Sequence, residues 1–154
     1  MATAAPSRTS DKTPAQIYSL VFGATLLLAG VIGFFVDASF GDLGSNVQGD
    51  DLIVFEVNGW HNLVHIASGA LGLALAGSRT GARAFALGFG AVYLLVAVWG
   101  LIVGDQILFG LIPINGADNV LHLLIALAGL AAGFASPDDT AARDTRGTRG
   151  PAAA

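Results

Sequence analysis

The sequence predicts an all-α membrane protein, four transmembrane helices built as two direct helix-pair repeats with both termini cytoplasmic. Three observations predict it. Four apolar runs are each long enough to cross a bilayer; all seven basic residues fall on one side of them; and the second pair of runs repeats the first. With 54% hydrophobic residues, 12% charged residues and a mean hydropathy of +0.69, the chain has too little charge to cover a soluble domain. Its partner is therefore the lipid bilayer, with other membrane subunits or self-association as further candidates.

Residues 1–14 are Ala, Thr, Ser and Pro with two basic groups, a composition that predicts a disordered tail. Residues 15–36 carry no charge, and at ~1.5 Å per residue they span the ~30 Å hydrocarbon layer. The rival assignment is a signal peptide led by Arg8 and Lys12, but the run exceeds the ~7–15 residues of a signal core. The other spans cover about 59–77, 82–103 and 116–135, so residues 15–135 form one transmembrane domain. Asn58-Gly59 and Asn115-Gly116 each place an N-cap before a helix. Gly77-Ser78-Arg79-Thr80-Gly81 reads as a tight turn, and residues 136–154 as a second disordered tail.

Charge orients the pattern. Arg8 and Lys12 precede the first run, Arg79 and Arg83 lie between the second and third, and Arg143, Arg146 and Arg149 follow the fourth. Short Lys/Arg-rich loops stay in the cytoplasm, so both tails and the middle loop face inward in a bacterial plasma membrane. Seven of the eleven acids (Asp37, Asp42, Asp50, Asp51, Glu56, Asp105, Asp118) then face outward, as a solvated acidic surface. There is no basic patch with interleaved aromatics, so nucleic acid is not an expected partner. With no cysteine, disulfides and thiolate metal sites are excluded.

The repeat is direct. Phe22-Gly23-Ala24, Leu27, Leu28, Val31, Gly33 and Val36 recur 67 residues on, as Phe89-Gly90-Ala91 through Gly100 and Val103. Asn58-Gly59, Asn62, His65 and Gly72 recur 57 residues on, as Asn115-Gly116, Asn119, His122 and Gly129. Two halves of the same orientation imply a pseudo-two-fold axis along the membrane normal.

Three histidines carry the candidate chemistry. His65 and His122 lie seven residues past their asparagine caps, ~10 Å into the membrane, where ionisable residues mark functional sites by default. His61 stands one turn before His65, and its repeat equivalent is Asp118. If the repeat axis brings these faces together, His61, His65, Asp118 and His122 form a three-histidine, one-carboxylate set suited to a transition metal such as zinc, copper or iron. Haem held by His65 and His122 is a further cofactor candidate, without an attachment motif. The alternative is structural: neutral histidines, with Asn62 and Asn119 as supporting polar groups, hydrogen-bonding across helices. Trp60, Phe55 and Phe109 read as interface anchors, and Gly129-x-x-x-Gly133 as a close-packing motif. No nucleophile motif and no intramembrane carboxylate pair is present, which points away from an enzyme and towards an accessory or assembly role in a membrane complex.

The stretch FEVNGWHNLVHIASGALGLALAG at 55–77, followed by NGADNVLHLLIALAGLAAG at 115–133, resembles a bacterial membrane family known as domain-of-unknown-function family 4383. The resemblance covers about residues 15–135 and rests on an Asn-x-x-x-Asn-x-x-His element before the second and fourth spans, matched by Asn58, Asn62 and His65 and by Asn115, Asn119 and His122. It implies four helices and brings no activity.

Overall fold

The computed structural model describes residues 11–42, 44, 48–103 and 106–137; most of both predicted tails and Asp105 lie outside them. The order helix, two strands, helix occurs twice: α1 (Pro14–Gly33), β1 (Asp50–Leu52), β2 (Phe55–Val57) and α2 (Gly59–Leu75), then α3 (Arg79–Val103), β3 (Gln106–Leu108), β4 (Ile112–Ile114) and α4 (Gly116–Phe134). α1, α3 and α4 are long and apolar enough to cross a membrane. α2, at 17 residues, is the short member and rises only ~26 Å.

Local chemistry sets the ends. α1 begins earlier than its apolar run: Pro14 occupies the first turn, where its missing N–H costs nothing, and Thr13 and Gln16 form a capping box. Its regular part ends at Gly33, and Phe34–Val36 follow as tight turns bonded back to the Ile32 and Gly33 carbonyls. Asn58 caps α2 by accepting from the His61 N–H (3.0 Å), and Asn115 caps α4 by accepting from the Asp118 N–H (3.0 Å). α3 starts at Arg79, so the predicted turn shrinks to Ala76–Ser78 and both arginines sit in its first turns.

Glycine seams hold the helices in pairs, α1 on α2 and α3 on α4. A Cβ at Gly23 would press on the Leu73 N and Gly69 O of α2 at 3.0 and 3.1 Å; one at Gly90 would meet the Leu130 N and Ala126 O of α4 at 2.9 and 3.0 Å. Backbones approach this closely only where side chains are absent. Gly129 and Gly133 of the predicted packing motif are used inside the chain, against Tyr18 and Ala86 and against Leu87 respectively. α1 also reaches across the bundle: Tyr18 Oη donates to the Ile125 carbonyl (3.1 Å), and the Ala15 N–H to Ser136 Oγ (2.9 Å). Ser136, the first residue of the predicted second tail, is thus part of the fold. At the same end Gln16 Nε2 donates to the Ala76 carbonyl (3.1 Å) and Arg83 Nε to the Gly133 carbonyl (3.2 Å), so Lys12, Arg79 and Arg83 gather there.

The opposite end is closed by two antiparallel hairpins, where an irregular acidic loop was expected. β1 pairs with β2 in the register Asp51↔Glu56, and β3 with β4 in the register Ile107↔Pro113. No Asn-Gly or Asp-Gly turn announces either one. Instead Ile53 adopts φ 66° in the first, and Phe109 and Gly110 adopt φ 54° and 70° in the second. A β-branched residue is strained at such a φ, and reciprocal bonds hold the turns in place: Asn58 Nδ2 donates to the Leu111 carbonyl (2.7 Å) and Asn115 Nδ2 to the Val54 carbonyl (2.9 Å). Each helix cap therefore fastens the hairpin of the other half.

Candidate metal centre

The hairpins roof a buried polar cluster. β1 and β2 are joined by the two-residue turn Ile53-Val54, so Leu52↔Phe55 closes the ladder and the next pair, Asp51↔Glu56, is of the non-hydrogen-bonded kind. The peptide groups of Glu56 consequently point away from β1, down onto the helix starts. Its carbonyl meets His61 Nδ1 at 2.9 Å. Since a carbonyl can only accept, the His61 proton is on Nδ1 and its Nε2 carries the free lone pair. The Asp118 carboxylate accepts from the Asn115 N–H at 3.2 Å as part of the α4 capping box. Most of its about four lone-pair sites remain for other partners.

His61, Asp118 and His122 offer ligand atoms that all lie within 4.8 Å of one another, and the three residues are 3, 2 and 6% exposed. His122 is positioned edge-on to Tyr93 of α3, with ring centroids 5.0 Å apart at 82°. Its Nδ1 is buried and has no hydrogen-bond partner among the described residues. Buried ring nitrogens are rarely left so. Three of the four residues named from sequence thus meet in one place. His65 does not join them: its ring packs at 4.4 Å against His61 and lines a cleft between α2 and α3 that His61 and His122 also border.

Asn62 and Asn119 lie outside the cluster and do structural work. Asn62 Nδ2 donates to the Asp37 carbonyl (2.8 Å), holding the chain that leaves α1. Its Oδ1 faces Gly33 and that of Asn119 faces Gly100, at points where a Cβ would overlap the oxygen. The glycine Cα–H fills the role of donor to each, a weak hydrogen bond found at helix contacts. Trp60 is tied down by its indole N–H to the Gly41 carbonyl (2.9 Å) and packs edge-on against Phe40.

Sequence reasoning missed Glu56 as an orienting backbone group, since a carbonyl leaves no trace in residue type. It also missed the ring column Phe85, Phe89 and Tyr93, whose four-residue spacing on one face of α3 was legible.

Fold and cluster together define a small four-helix protein of membrane-spanning character, with a His/His/Asp set sealed beneath paired hairpins. The chain belongs to the family described as Domain of unknown function (DUF4383), whose model matches residues 16–135. No curated protein and no solved structure matches it.

Proposed function

We propose that this chain is a non-enzymatic integral membrane protein that binds one transition-metal ion at its outer end through His61, His122 and Asp118. The observation that carries the proposal is the convergence of those three buried side chains, one of them with an unpartnered nitrogen. Two imidazoles and a carboxylate suit zinc, and also iron or copper. The Glu56 carbonyl on His61 Nδ1 supports it, because metal-bound histidines characteristically donate their other N–H to a carboxylate or carbonyl. Ligand atoms within 4.8 Å bracket the space of a bare ion, which favours an ion over a haem plane at this set. The collection of Lys12, Arg79 and Arg83 at the other end supports cytoplasmic termini, with the acidic, hairpin-covered end outside, where it concentrates cations.

The test is elemental analysis of protein purified in detergent without chelators, followed by zinc titration of chelator-treated protein. About one ion per chain is expected for the wild type and for His65→Ala, with loss of the ion in His122→Ala and Asp118→Asn. A folded wild type that takes up no zinc, copper or iron refutes the proposal, and so does undiminished uptake by His122→Ala.

A further inference from the structure

α2 and α3 are neighbours in the chain, yet they barely touch along their length. Between them lies a cavity of about 460 Å³, within the ~300–1,000 Å³ of small-molecule sites. Val64, Leu71 and Val92 line its mouth and are 41, 54 and 54% exposed, so it opens sideways, towards lipid, and not towards either end of the bundle. One wall is a row of aromatic rings: Phe85 stacks on Phe89 at 4.8 Å and 17°, and Phe89 lies 4.3 Å from Tyr93. The apolar body of the cleft runs along this row.

Polarity is confined to one end. There the rings of His61, His65 and His122 line the cavity, with Ser68 a turn further along α2; His61 and His122 border both the cavity and the cluster, while His65, packed against His61, makes no hydrogen bond to a described residue. No Asp, Glu, Lys or Arg is among the described lining residues, so an ionised head group entering from lipid would find no counter-charge. A neutral molecule with an oxygen acceptor at one end would find a donor in the His65 N–H, and a flat one would find ring faces to stack on. We propose that this cleft is a binding site for a neutral lipid-soluble molecule of the quinone class, its carbonyl head against His65 and its body along Phe85, Phe89 and Tyr93. His61 and His122 border the same end of the cleft, but the contacts assigned to the quinone, His65 and the three rings, include neither proposed metal ligand.

Gly88 supplies the means of testing it, since it lines the cleft and a Cβ there would meet no atom within 4 Å. Gly88→Leu therefore fills the cavity without displacing a neighbour, and leucine is the better helix former. The experiment is calorimetric titration of the detergent-solubilised full chain with a short-tailed benzoquinone. Saturable binding is expected, weakened about tenfold or more by Gly88→Leu and about tenfold by His65→Leu, the loss of one hydrogen bond. Val92→Trp, which narrows the mouth from an exposed position, gives the same loss if Gly88→Leu proves unstable. Asp118→Asn, at a cluster residue that does not line the cleft, should bind the quinone within about twofold of the wild type while losing its metal, which separates this site from the cluster. Non-saturating uptake equal in wild type and Gly88→Leu would mean partition into the micelle and overturns the proposal. Blockage of the cleft by a co-purified phospholipid overturns it as well.

Discussion

Replacing Gly33 by alanine puts a methyl group where the Asn62 carboxamide oxygen now sits. Neither partner can yield easily. Asn62 is fully buried and anchored through Nδ2 to the Asp37 carbonyl at 2.8 Å, and Gly33 is fixed in the last turn of α1. Overpacking of this kind costs about 1–3 kcal/mol, and the Cα–H···O contact that disappears is worth about 0.5–1. Alanine's better helix propensity returns up to about 1 kcal/mol. The net loss for Gly33→Ala is therefore about 1–3 kcal/mol, and Gly100→Ala should match it, because Asn119 faces Gly100 in the same way. The discriminating measurement is a double-mutant cycle by reversible unfolding in mixed micelles. With Asn62→Ala present the oxygen is gone, so the double mutant should be more stable than additivity predicts by about 1–3 kcal/mol. Strict additivity would refute the reasoning, since it would mean that the methyl group and the carboxamide never compete for one space.

Asn115→Ala removes both the α4 cap and the bond to the Val54 carbonyl, and is expected to cost about 1–3 kcal/mol in the same unfolding assay, against a few tenths for an exposed control. Ile53→Gly acts oppositely: it relieves a β-branched residue at φ 66° that is 86% exposed and contributes little packing, so it should stabilise by about 1 kcal/mol. An impermeant thiol reagent should label a cysteine at Ser45 in intact cells and one at Thr140 only after lysis; the reverse order would overturn the charge-based orientation.

The helices were legible because a membrane demands length and apolarity, and both are written in residue type. Asn58 and Asn115 marked two starts to the residue, since an asparagine before an apolar run has a specific task there. α1 ended early for a reason that hydropathy does not encode: the chain tightens into turns after Gly33, and Asn62 Nδ2 holds the Asp37 carbonyl that follows them, across 25 residues. The hairpins were hidden for a related reason. Their turns use Ile53 and Phe109 at positive φ, held by asparagines from the other half of the chain, and no local signal reveals a bond made across more than fifty residues.

The division between His65 and His122 shows where sequence equivalence stops short of geometric equivalence. Both follow their asparagine caps by seven residues, so pattern alone gave them one role. Their surroundings differ because the helices pair α1 on α2 and α3 on α4, leaving α2 apart from α3. His122 on α4 packs directly against Tyr93 of α3 and is held beside Asp118, one turn before it on its own helix, with His61 reaching over from α2. His65 on α2 faces the gap, which His122 also borders, and offers no ligand atom to the set. The positions one turn earlier carry the complementary difference, histidine at 61 and aspartate at 118, and it is these unlike residues that meet. Two imidazoles and a carboxylate make a better cation site than the three imidazoles that histidine at 118 would give, because the carboxylate adds charge where the helix N-terminus and the buried surroundings both disfavour a bare cation. Asp118→His, which restores the symmetric residue, should therefore weaken zinc binding at neutral pH relative to wild type. Equal or tighter binding would show that donor number, and not charge, governs the cluster.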